Sequence, residues 1–276
     1  MMIQDIAPRT LINHYDPSVT PAAGDTLLVL QGAKILCRTE DGQLTYPTVD
    51  VLPENEWVGL TYLFSIDEER FFLHPSAEAE GFSLQELRSL REENAGPKDR
   101  IFAAYTAKHL ADWYRDTRFC GRCGHVMEHS AAERAMTCPS CHYTAYPRIM
   151  PAVIVGVTNG DRLLLTRYRT GYGHNALIAG FTEIGETLEE TVAREVMEEA
   201  GIHVKNIRYY KSQPWGTAND ILVGYFCDVD GDDTIRMDEG ELKFAQWTER
   251  QDILLQPDNF SLTNEMMTLF KNGGKV

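Results

Sequence analysis

Residues 180–202 have the sequence GFTEIGETLEETVAREVMEEAGI, and this stretch decides the fold of the chain around it. Thr187, followed three residues later by Glu190, matches a capping box and predicts the first turn of a helix. Gly201 predicts the end of that helix, because glycine adopts the left-handed backbone of a helix C-terminus without strain. Between these ends an apolar residue recurs at every fourth position, which predicts a stripe that packs on a sheet. The stripe consists of Leu188, Val192, Val196 and Ala200.

The same helix has three glutamates on one face. Glu195, Glu198 and Glu199 occupy positions i, i+3 and i+4, so their side chains project from neighbouring points of the helix surface. Neighbouring carboxylates repel one another, and Mg²⁺ or Mn²⁺ relieves this repulsion because these ions prefer oxygen ligands. We therefore predict a catalytic metal site that polarises phosphate, with Arg194 holding a nearby carboxylate in position. The alternative to a metal site, for an arbitrary run of acidic residues, is a helix face that is simply exposed to water, with Arg194 also only solvated.

Four of the six cysteines lie close together before this region, as two Cys-x-x-Cys pairs separated by 14 residues. Zinc prefers four soft ligands in a tetrahedron, and each pair places two thiolates on one side of the ion. We predict one structural zinc ion per chain, bound by Cys120, Cys123, Cys138 and Cys141. Two disulfides or four free thiols are the alternatives, and a reducing compartment disfavours the disulfides.

The composition limits the classes of function. The 276 residues are 43% hydrophobic, which is enough for two compact domains or for one domain with smaller modules. The net charge of −15 disfavours a broad surface for nucleic acid or membrane, because both partners are polyanionic. The N-terminal residues lack the apolar core of a secretory signal, and the longest apolar run, residues 149–157, is too short to span a bilayer. We expect a cytoplasmic protein with no membrane partner.

The pattern along the chain predicts three regions: a structural or dimerising N-terminal domain at 1–115, a zinc ribbon at 116–147 and a catalytic domain at 148–276. In the first region we predict strands at 26–30 and 57–62, a short helix at 83–93 and a longer helix at 99–115. In the third we predict a strand at 151–157, a turn at Asn159–Gly160 and a returning strand at 162–166. The acidic helix, two strands near 208–212 and 221–229, and a closing helix at 261–271 follow. This order predicts an α+β or α/β fold, with an α/β/α sandwich at the C-terminus.

The stretch at 180–202 resembles the Nudix box, G-x5-E-x7-R-E-U-x-E-E-x-G-U, in which U is a bulky aliphatic residue. Every specified position is matched, which makes a solvated acidic face a poor explanation. A four-cysteine ribbon directly before such a box resembles the NADH pyrophosphatase family from residue 89 onward. The matching residues of the box are Gly180, Glu186, Arg194, Glu195, Val196, Glu198, Glu199, Gly201 and Ile202.

The resemblance implies a function. Members of this family hydrolyse the diphosphate of NAD(H) to nicotinamide mononucleotide and AMP with a divalent metal, and some remove NAD caps from RNA 5′ ends. The family is typically homodimeric, so the resemblance implies a homodimer and an N-terminal domain that is Nudix-like or structural.

The resemblance also implies roles for individual residues. Glu195 and Glu199 match catalytic metal ligands, beside Glu198, and the backbone carbonyl of Ala179 and the carboxylate of Glu241 match further ligands. Aromatic residues of the nucleotide pocket match two positions, and stacking of a base or nicotinamide on such faces is physically sensible. The predicted substrate-binding residues are Tyr146, Phe181, Gln213, Pro214, Trp215 and Arg91.

One segment departs from the family pattern S-Q-P-W-P-F-P-x-S, because residues 212–220 are SQPWGTAND. The loss of two prolines and an aromatic ring, with a flexible Gly216 in their place, predicts an altered substrate pocket. Hydrolysis of another nucleoside diphosphate derivative, such as ADP-ribose or another dinucleotide, therefore stays open. A binding module that senses nucleotides or capped RNA is an alternative of another class, favoured by Arg118 and Arg122 in the ribbon and opposed by the net charge.

Overall fold

The computed structural model describes residues 2–91, 95–171 and 173–275, and the chain divides into two compact units. The C-terminal unit comprises Met1–Met2, Ile149–Pro214 and Asp220–Val276. The N-terminal unit comprises Ile3–Arg148 and Trp215–Asn219. Within the described ranges, no helix is both long and apolar enough to cross a bilayer.

The described part of the N-terminal unit contains a seven-stranded sheet in the order β1-β5-β6-β2-β3-β4, with β7 also paired to β3. Strands β2 and β6 are parallel, and the other pairs are antiparallel. Helix α1 (Lys98–Asp116) follows the sheet, which confirms the helix predicted at 99–115. The strands are β1 (Leu11–Ile12), β2 (Thr26–Gln31), β3 (Lys34–Glu40), β4 (Gln43–Thr45), β5 (Thr61–Ile66), β6 (Glu69–His74) and β7 (Ser83–Glu86).

Two predictions in this unit are wrong. The strand predicted at 57–62 is a 3₁₀ helix at Glu54–Gly59, and β5 begins only at Thr61. The Trp57 indole donates hydrogen bonds to the carbonyls of Val49 (3.1 Å) and Leu52 (3.2 Å), which holds the segment in a turn.

The short helix predicted at 83–93 is also wrong for its described part. Ser83–Glu86 forms β7 on the edge of β3, and Leu87–Arg91 forms a 3₁₀ helix. Residues 92–94 lie outside the described ranges. The open edge of β3 supplies backbone partners, and this tertiary pairing outweighs local helix propensity.

The ribbon in the N-terminal unit has three short antiparallel strands in the order β10-β9-β8. They are β8 (Glu128–His129), β9 (Met136–Thr137) and β10 (Thr144–Ala145). Buried Trp113 of α1, Met127 and Met136 pack against Cys120 and Cys138, so the ribbon and the end of α1 share a small apolar core.

The described part of the C-terminal unit has a six-stranded sheet in the order β14-β15-β11-β12-β16, with β13 also paired to β11. Strands β11 and β15 are parallel, with Met150 opposite Asp220, and β12 and β13 are antiparallel to β11. Gly160, with φ of 61°, makes the predicted turn between β11 and β12. The elements are β11 (Met150–Asn159), β12 (Arg162–Tyr168), β13 (Ile178–Phe181), α2 (Leu188–Ala200), β14 (Val204–Trp215), β15 (Asp220–Val229), β16 (Leu242–Glu249) and α3 (Leu262–Lys271).

Helices α2 and α3 cover opposite faces of this sheet. The apolar stripe of α2 packs with Val153, Val155 and Ile178, while α3 packs with Ile154 and Phe226. Successive residues of a strand face opposite sides, so β11 supplies both cores. The predicted mixed fold with a C-terminal α/β/α sandwich is confirmed, although β13 and β16 were not predicted.

Candidate active site and metal centre

Helix α2 begins and ends where the sequence predicts. The Thr187 hydroxyl accepts a hydrogen bond from the Glu190 amide (3.2 Å), and the Glu190 carboxylate accepts one from the Thr187 amide (2.7 Å). Gly201 closes the helix in the left-handed conformation, with φ of 67°. The capping box and the glycine stop are confirmed, and together they fix the rotation and the ends of the helix that presents the glutamates.

Gly180 on β13 leaves room for the carboxylate of Glu195. A Cβ atom at position 180 would lie 2.0–2.2 Å from the carboxylate atoms of Glu195, which is far inside van der Waals contact. The side chain of Glu195 therefore lies directly over the backbone of β13, and only glycine allows this approach.

Arg194 is the centre of a hydrogen-bond network. Its guanidinium donates two hydrogen bonds to Glu186, from Nε (2.6 Å) and Nη2 (2.9 Å). It donates two more to Glu195 (2.6 Å) and Glu198 (2.9 Å), and a further one to the carbonyl of Phe181 (3.0 Å). The hydrogen bonds from Arg194 lower the pKa of Glu186 to about 2, so Glu186 is ionised at neutral pH. The contacts are those of an arginine that orients carboxylates, which remains our prediction for its role.

Glu199, near the end of α2, is buried, with 1% of its surface exposed. Burial raises its pKa to about 8; a hydrogen bond from Tyr168 lowers it, and the nearby charges of Glu241 and Glu195 raise it. Burial also raises the pKa of Glu195, against the opposing effect of Arg194. A buried and a half-buried carboxylate, both with raised pKa values, are an arrangement for which a bound cation is a suitable counter-charge.

The other predicted acidic ligands are more open to solvent. The side chain of Glu198 is 58% exposed, and Glu241 is exposed just before β16. Among the described side chains, no three acidic groups have ligand atoms within 4.8 Å of one another. The three glutamates of α2 therefore diverge: Glu199 is buried, Glu195 is half-buried under Arg194, and Glu198 points outward.

The donor set suits a hard divalent cation. Carboxylate oxygens of Glu195, Glu199 and Glu241 and the carbonyl oxygen of Ala179 are the ligand types that Mg²⁺ and Mn²⁺ prefer. The carboxylates influence one another electrostatically, since Glu195 and Glu241 both raise the pKa of Glu199. These residues would hold the ion between β13, α2 and the start of β16.

The four cysteines of the ribbon form one compact group. Their sulfur atoms all lie within 4.8 Å of one another, with 3.6 Å between Cys120 and Cys141 and 3.4 Å between Cys123 and Cys138. A tetrahedron of thiolates about 2.3 Å from zinc has edges of about 3.8 Å, whereas a disulfide is about 2.05 Å long. The geometry therefore fits a structural zinc site and rules out disulfides between these pairs.

The backbone supports the two halves of this site in the same way. The amides of Arg122 and Cys141 point at the sulfurs of Cys120 (3.4 Å) and Cys138 (3.5 Å). Each turn then closes on a residue with left-handed backbone, Gly124 (φ 78°) or His142 (φ 57°). Amide donors of this kind stabilise thiolate ligands.

Comparison with known proteins agrees with this arrangement. Residues 148–269 match the model of the NUDIX domain, and residues 115–146 match that of the NADH pyrophosphatase zinc ribbon domain. A protein named NAD-capped RNA hydrolase NudC, from Photorhabdus laumondii subsp. laumondii, is 38% identical over 180 residues, which are 65% of this chain and 70% of that protein. The chain belongs to the Nudix hydrolase family and has the NADH pyrophosphatase zinc ribbon.

Two other relatives have the same name as the Photorhabdus protein. The one from Enterobacter sp. (strain 638) is 45% identical over 149 residues, which are 54% of this chain and 57% of that protein. The one from Klebsiella pneumoniae subsp. pneumoniae is 46% identical over 151 residues, which are 54% of this chain and 58% of that protein. The chain thus spans a little over half the length of these two relatives.

Three predicted substrate-binding residues of this Nudix protein lie in the C-terminal unit. The ring of Phe181 is 50% exposed at the end of β13, and Pro214 is also exposed. Gln213 is fully buried, and its amide donates to the carbonyl of Phe260 (2.8 Å) and accepts from the amide of Leu262 (2.7 Å). Phe181 and Pro214 are thus open to a ligand, whereas Gln213 fastens β14 to the start of α3.

The other three lie in the N-terminal unit. The ring of Tyr146 is 58% exposed, and its hydroxyl donates to Glu133 (2.9 Å). Trp215 packs against the ring of Tyr105 at 5.6 Å, and the guanidinium of Arg91 lies 4.8 Å from the Trp215 ring centroid. The structure therefore brings Arg91 and Trp215 together, which the sequence alone did not predict.

Gly216 does not act as the flexible hinge that the sequence predicted. It is buried, and a Cβ at this position would lie 1.9 Å from the carbonyl oxygen of Tyr105 in α1. The turn after Trp215 packs closely against the helix backbone, so a side chain at 216 would force this backbone to shift. Glycine in place of the family's proline thus suits the close packing at position 216.

Two residues next to these sites escaped the sequence analysis. Tyr168 contacts both Glu199 and the Ala179 carbonyl, although a tyrosine at the end of a strand gives no signal of its own. Asp220 is buried where the family pattern has serine, and burial raises its pKa to about 7. The alternating pattern of β15 could have identified Asp220, since it places residue 220 on the same inward face as Leu222 and Phe226.

Proposed function

We propose that this Nudix protein hydrolyses the diphosphate bond of NAD(H), releasing nicotinamide mononucleotide and AMP. The observation that supports this most directly is the NADH pyrophosphatase zinc ribbon next to the Nudix domain. The half-buried carboxylate of Glu195 and the buried carboxylate of Glu199, with the carbonyl of Ala179, support a site for the divalent cation that such a reaction needs.

The residues around the cation have separable tasks in this proposal. A bound Mg²⁺ or Mn²⁺ ion supplies charge neutralisation at the diphosphate and lowers the pKa of water. Arg194 holds Glu195 and Glu198 in fixed orientations, so little reorganisation is needed when the substrate arrives. The exposed face of Phe181 offers a surface on which a base or a nicotinamide ring stacks.

Product analysis with a matched pair of variants tests this proposal. The protein is incubated with NADH and Mn²⁺, and the products are identified by mass. Glu199→Gln is expected to lower turnover at least 100-fold because it removes a ligand charge, whereas Glu189→Gln on the same helix is expected to leave it unchanged. Glu189 instead accepts a hydrogen bond from Tyr225, outside the predicted site. Failure of the wild-type protein to form nicotinamide mononucleotide would exclude NADH as the substrate.

The segment 216–220 supports a second candidate, a different nucleoside diphosphate derivative such as ADP-ribose or another dinucleotide. Because Gly216 packs against α1, this turn follows a path set by the chain itself rather than by the family's two prolines. Competition between NADH and ADP-ribose in one reaction decides between the candidates. Faster loss of ADP-ribose would assign the protein to the second.

NAD-capped RNA is a further proposed substrate, supported by the names of the three relatives. A sensor that binds capped RNA without turning it over is the alternative. Release of nicotinamide mononucleotide from capped RNA supports hydrolysis, and binding without release supports the sensor. In either case, affinity that does not fall with salt would argue against contacts to the RNA backbone.

The proposal has three further parts. The protein is a homodimer, it is cytoplasmic, and its chain divides into three domains after residues 115 and 147. The dimer rests on family resemblance, and light scattering on the purified protein tests it by giving twice the chain mass of 31.2 kDa. The location is supported by the four clustered cysteines of the ribbon, because a reducing compartment keeps thiols available as metal ligands. Fractionation of the source cells tests the location.

A further inference from the structure

Tyr168 joins the elements that hold the predicted metal ligands. Its hydroxyl oxygen lies 3.1 Å and 3.4 Å from the two carboxylate oxygens of Glu199 on α2. It lies 3.5 Å from the carbonyl oxygen of Ala179 on β13. One side chain from β12 therefore reaches both a predicted carboxylate ligand and a predicted backbone ligand.

The hydroxyl has one proton and three oxygen neighbours. It donates to one acceptor at a time, and it lies within 3.5 Å of both the Glu199 carboxylate and the Ala179 carbonyl. Within the described ranges, Tyr168 is the one side chain that donates a hydrogen bond to Glu199. Because Glu199 is 1% exposed, solvent cannot readily replace this donor.

The pairing beside Tyr168 is irregular. Arg167 lies opposite Phe244 and Tyr168 opposite Leu242, so Lys243 is an extra residue on β16. Irregularities of this kind are common beside active sites. Leu242 directly follows Glu241, so this register places Tyr168 next to the segment of the third predicted ligand.

We propose that Tyr168 is a positioning residue for the divalent cation: it holds the Glu199 carboxylate at the distance from the Ala179 carbonyl that lets both bind one ion. This proposal rests on the proposed function in one respect: the ion is the divalent cation, Mg²⁺ or Mn²⁺, that the proposed hydrolysis uses. Partners that orient a ligand typically change metal affinity by roughly 10- to 100-fold when they are removed.

Mn²⁺ binding to the substrate-free protein tests the proposal. Tyr168→Phe keeps the ring and removes the hydroxyl, so we expect the fold to persist and the dissociation constant for Mn²⁺ to rise roughly 10- to 100-fold, measured by electron paramagnetic resonance. The matched control is Tyr225→Phe, because the Tyr225 hydroxyl also donates to an α2 glutamate, Glu189, at 3.3 Å. The control is expected to bind Mn²⁺ within about twofold of wild type.

Turnover at two Mn²⁺ concentrations separates positioning from a general structural effect. Activity of Tyr168→Phe is expected to fall at low Mn²⁺ and to recover when Mn²⁺ is saturating, with an unchanged melting temperature. Wild-type affinity in Tyr168→Phe, or a loss that saturating Mn²⁺ does not restore, would overturn the proposal. If NADH is not the substrate, the binding comparison still tests Tyr168, so the two failures are distinguishable.

Discussion

Replacement of Asp220 by asparagine is expected to stabilise the protein, by an amount that grows with pH. Asp220 begins β15, is 4% exposed, and its Oδ1 atom has no hydrogen-bond partner within the described ranges. Burial raises the pKa of Asp220 to about 7 from its ordinary value of 3.8. Ionisation of this carboxylate therefore costs free energy in the folded protein and not in the unfolded chain.

The size of the effect follows from the two pKa values. Below the unfolded value of 3.8, Asp220 is protonated in both states and has no effect. Between 3.8 and about 7 the unfolded chain ionises and the folded protein does not, so stability falls as pH rises. At about 1.4 kcal/mol per pKa unit, the penalty is about 2 kcal/mol near pH 5.5 and about 4 kcal/mol above pH 7. Asparagine has nearly the same shape and no charge, so it removes a penalty that is larger at higher pH.

Urea unfolding at about pH 5.5 and about pH 8, followed by circular dichroism, measures the gain. Asp228→Asn on the same strand is the control, because a hydrogen bond from Arg208 holds the pKa of Asp228 at about 2. The Asp228 carboxylate stabilises the fold fully above pH 3.8 and loses this effect as pH falls through about 2. Asp228→Asn should therefore lower the free energy of unfolding equally at both pH values. An equal gain for Asp220→Asn at both pH values, or a loss at pH 8, would refute the reasoning.

Three further substitutions test other contacts. Gly180→Ala places a Cβ about 2 Å from the Glu195 carboxylate and displaces this group, so turnover is expected to fall about 100-fold with an unchanged melting temperature. Activity near wild type would show that hydrolysis does not need the close approach of Glu195 to residue 180. Gly216→Ala meets a backbone carbonyl of α1 at 1.9 Å and is expected to cost about 1–3 kcal/mol in urea unfolding, so unaltered stability would contradict the packing. Cys138→Ser is expected to remove bound zinc, measured by mass spectrometry of the metal content, whereas Cys37→Ser should retain one ion per chain.

The acidic helix could be predicted because its signals are local. Thr187, Glu190 and Gly201 lie within one short stretch and make their hydrogen bonds inside it. The four-residue spacing of the apolar stripe fixes which face meets the sheet, whatever the rest of the chain does. The two cysteine pairs were predictable for the same reason, since each pair forms its own turn.

Features decided by particular contacts could not be predicted. Trp57 lies in a segment with strand-like composition, but its indole donates hydrogen bonds to the carbonyls of Val49 and Leu52, which holds the segment in a turn. Gly216 looks flexible in the sequence, yet it is fixed by the carbonyl of Tyr105, more than a hundred residues away. Gln213 is predicted to bind substrate, and this stays a prediction; its amide also hydrogen-bonds the carbonyl of Phe260 and the amide of Leu262 at the start of α3. The partners of Gly216 and Gln213 are brought near only by the completed fold.

The parallel pairing of β11 with β15 has a consequence for how the C-terminal unit is made. Met150 pairs with Asp220 and Thr158 with Asp228, so each pair spans 70 positions of the chain. Such distant pairing delays folding, because a long loop must close before the strands meet. During synthesis the centre of this sheet cannot form until β15 has left the ribosome. Until then the apolar stripe of α2 has its partners on β11 and β13 but lacks those on β15, which are Val223, Tyr225 and Cys227, so part of this core stays open to solvent.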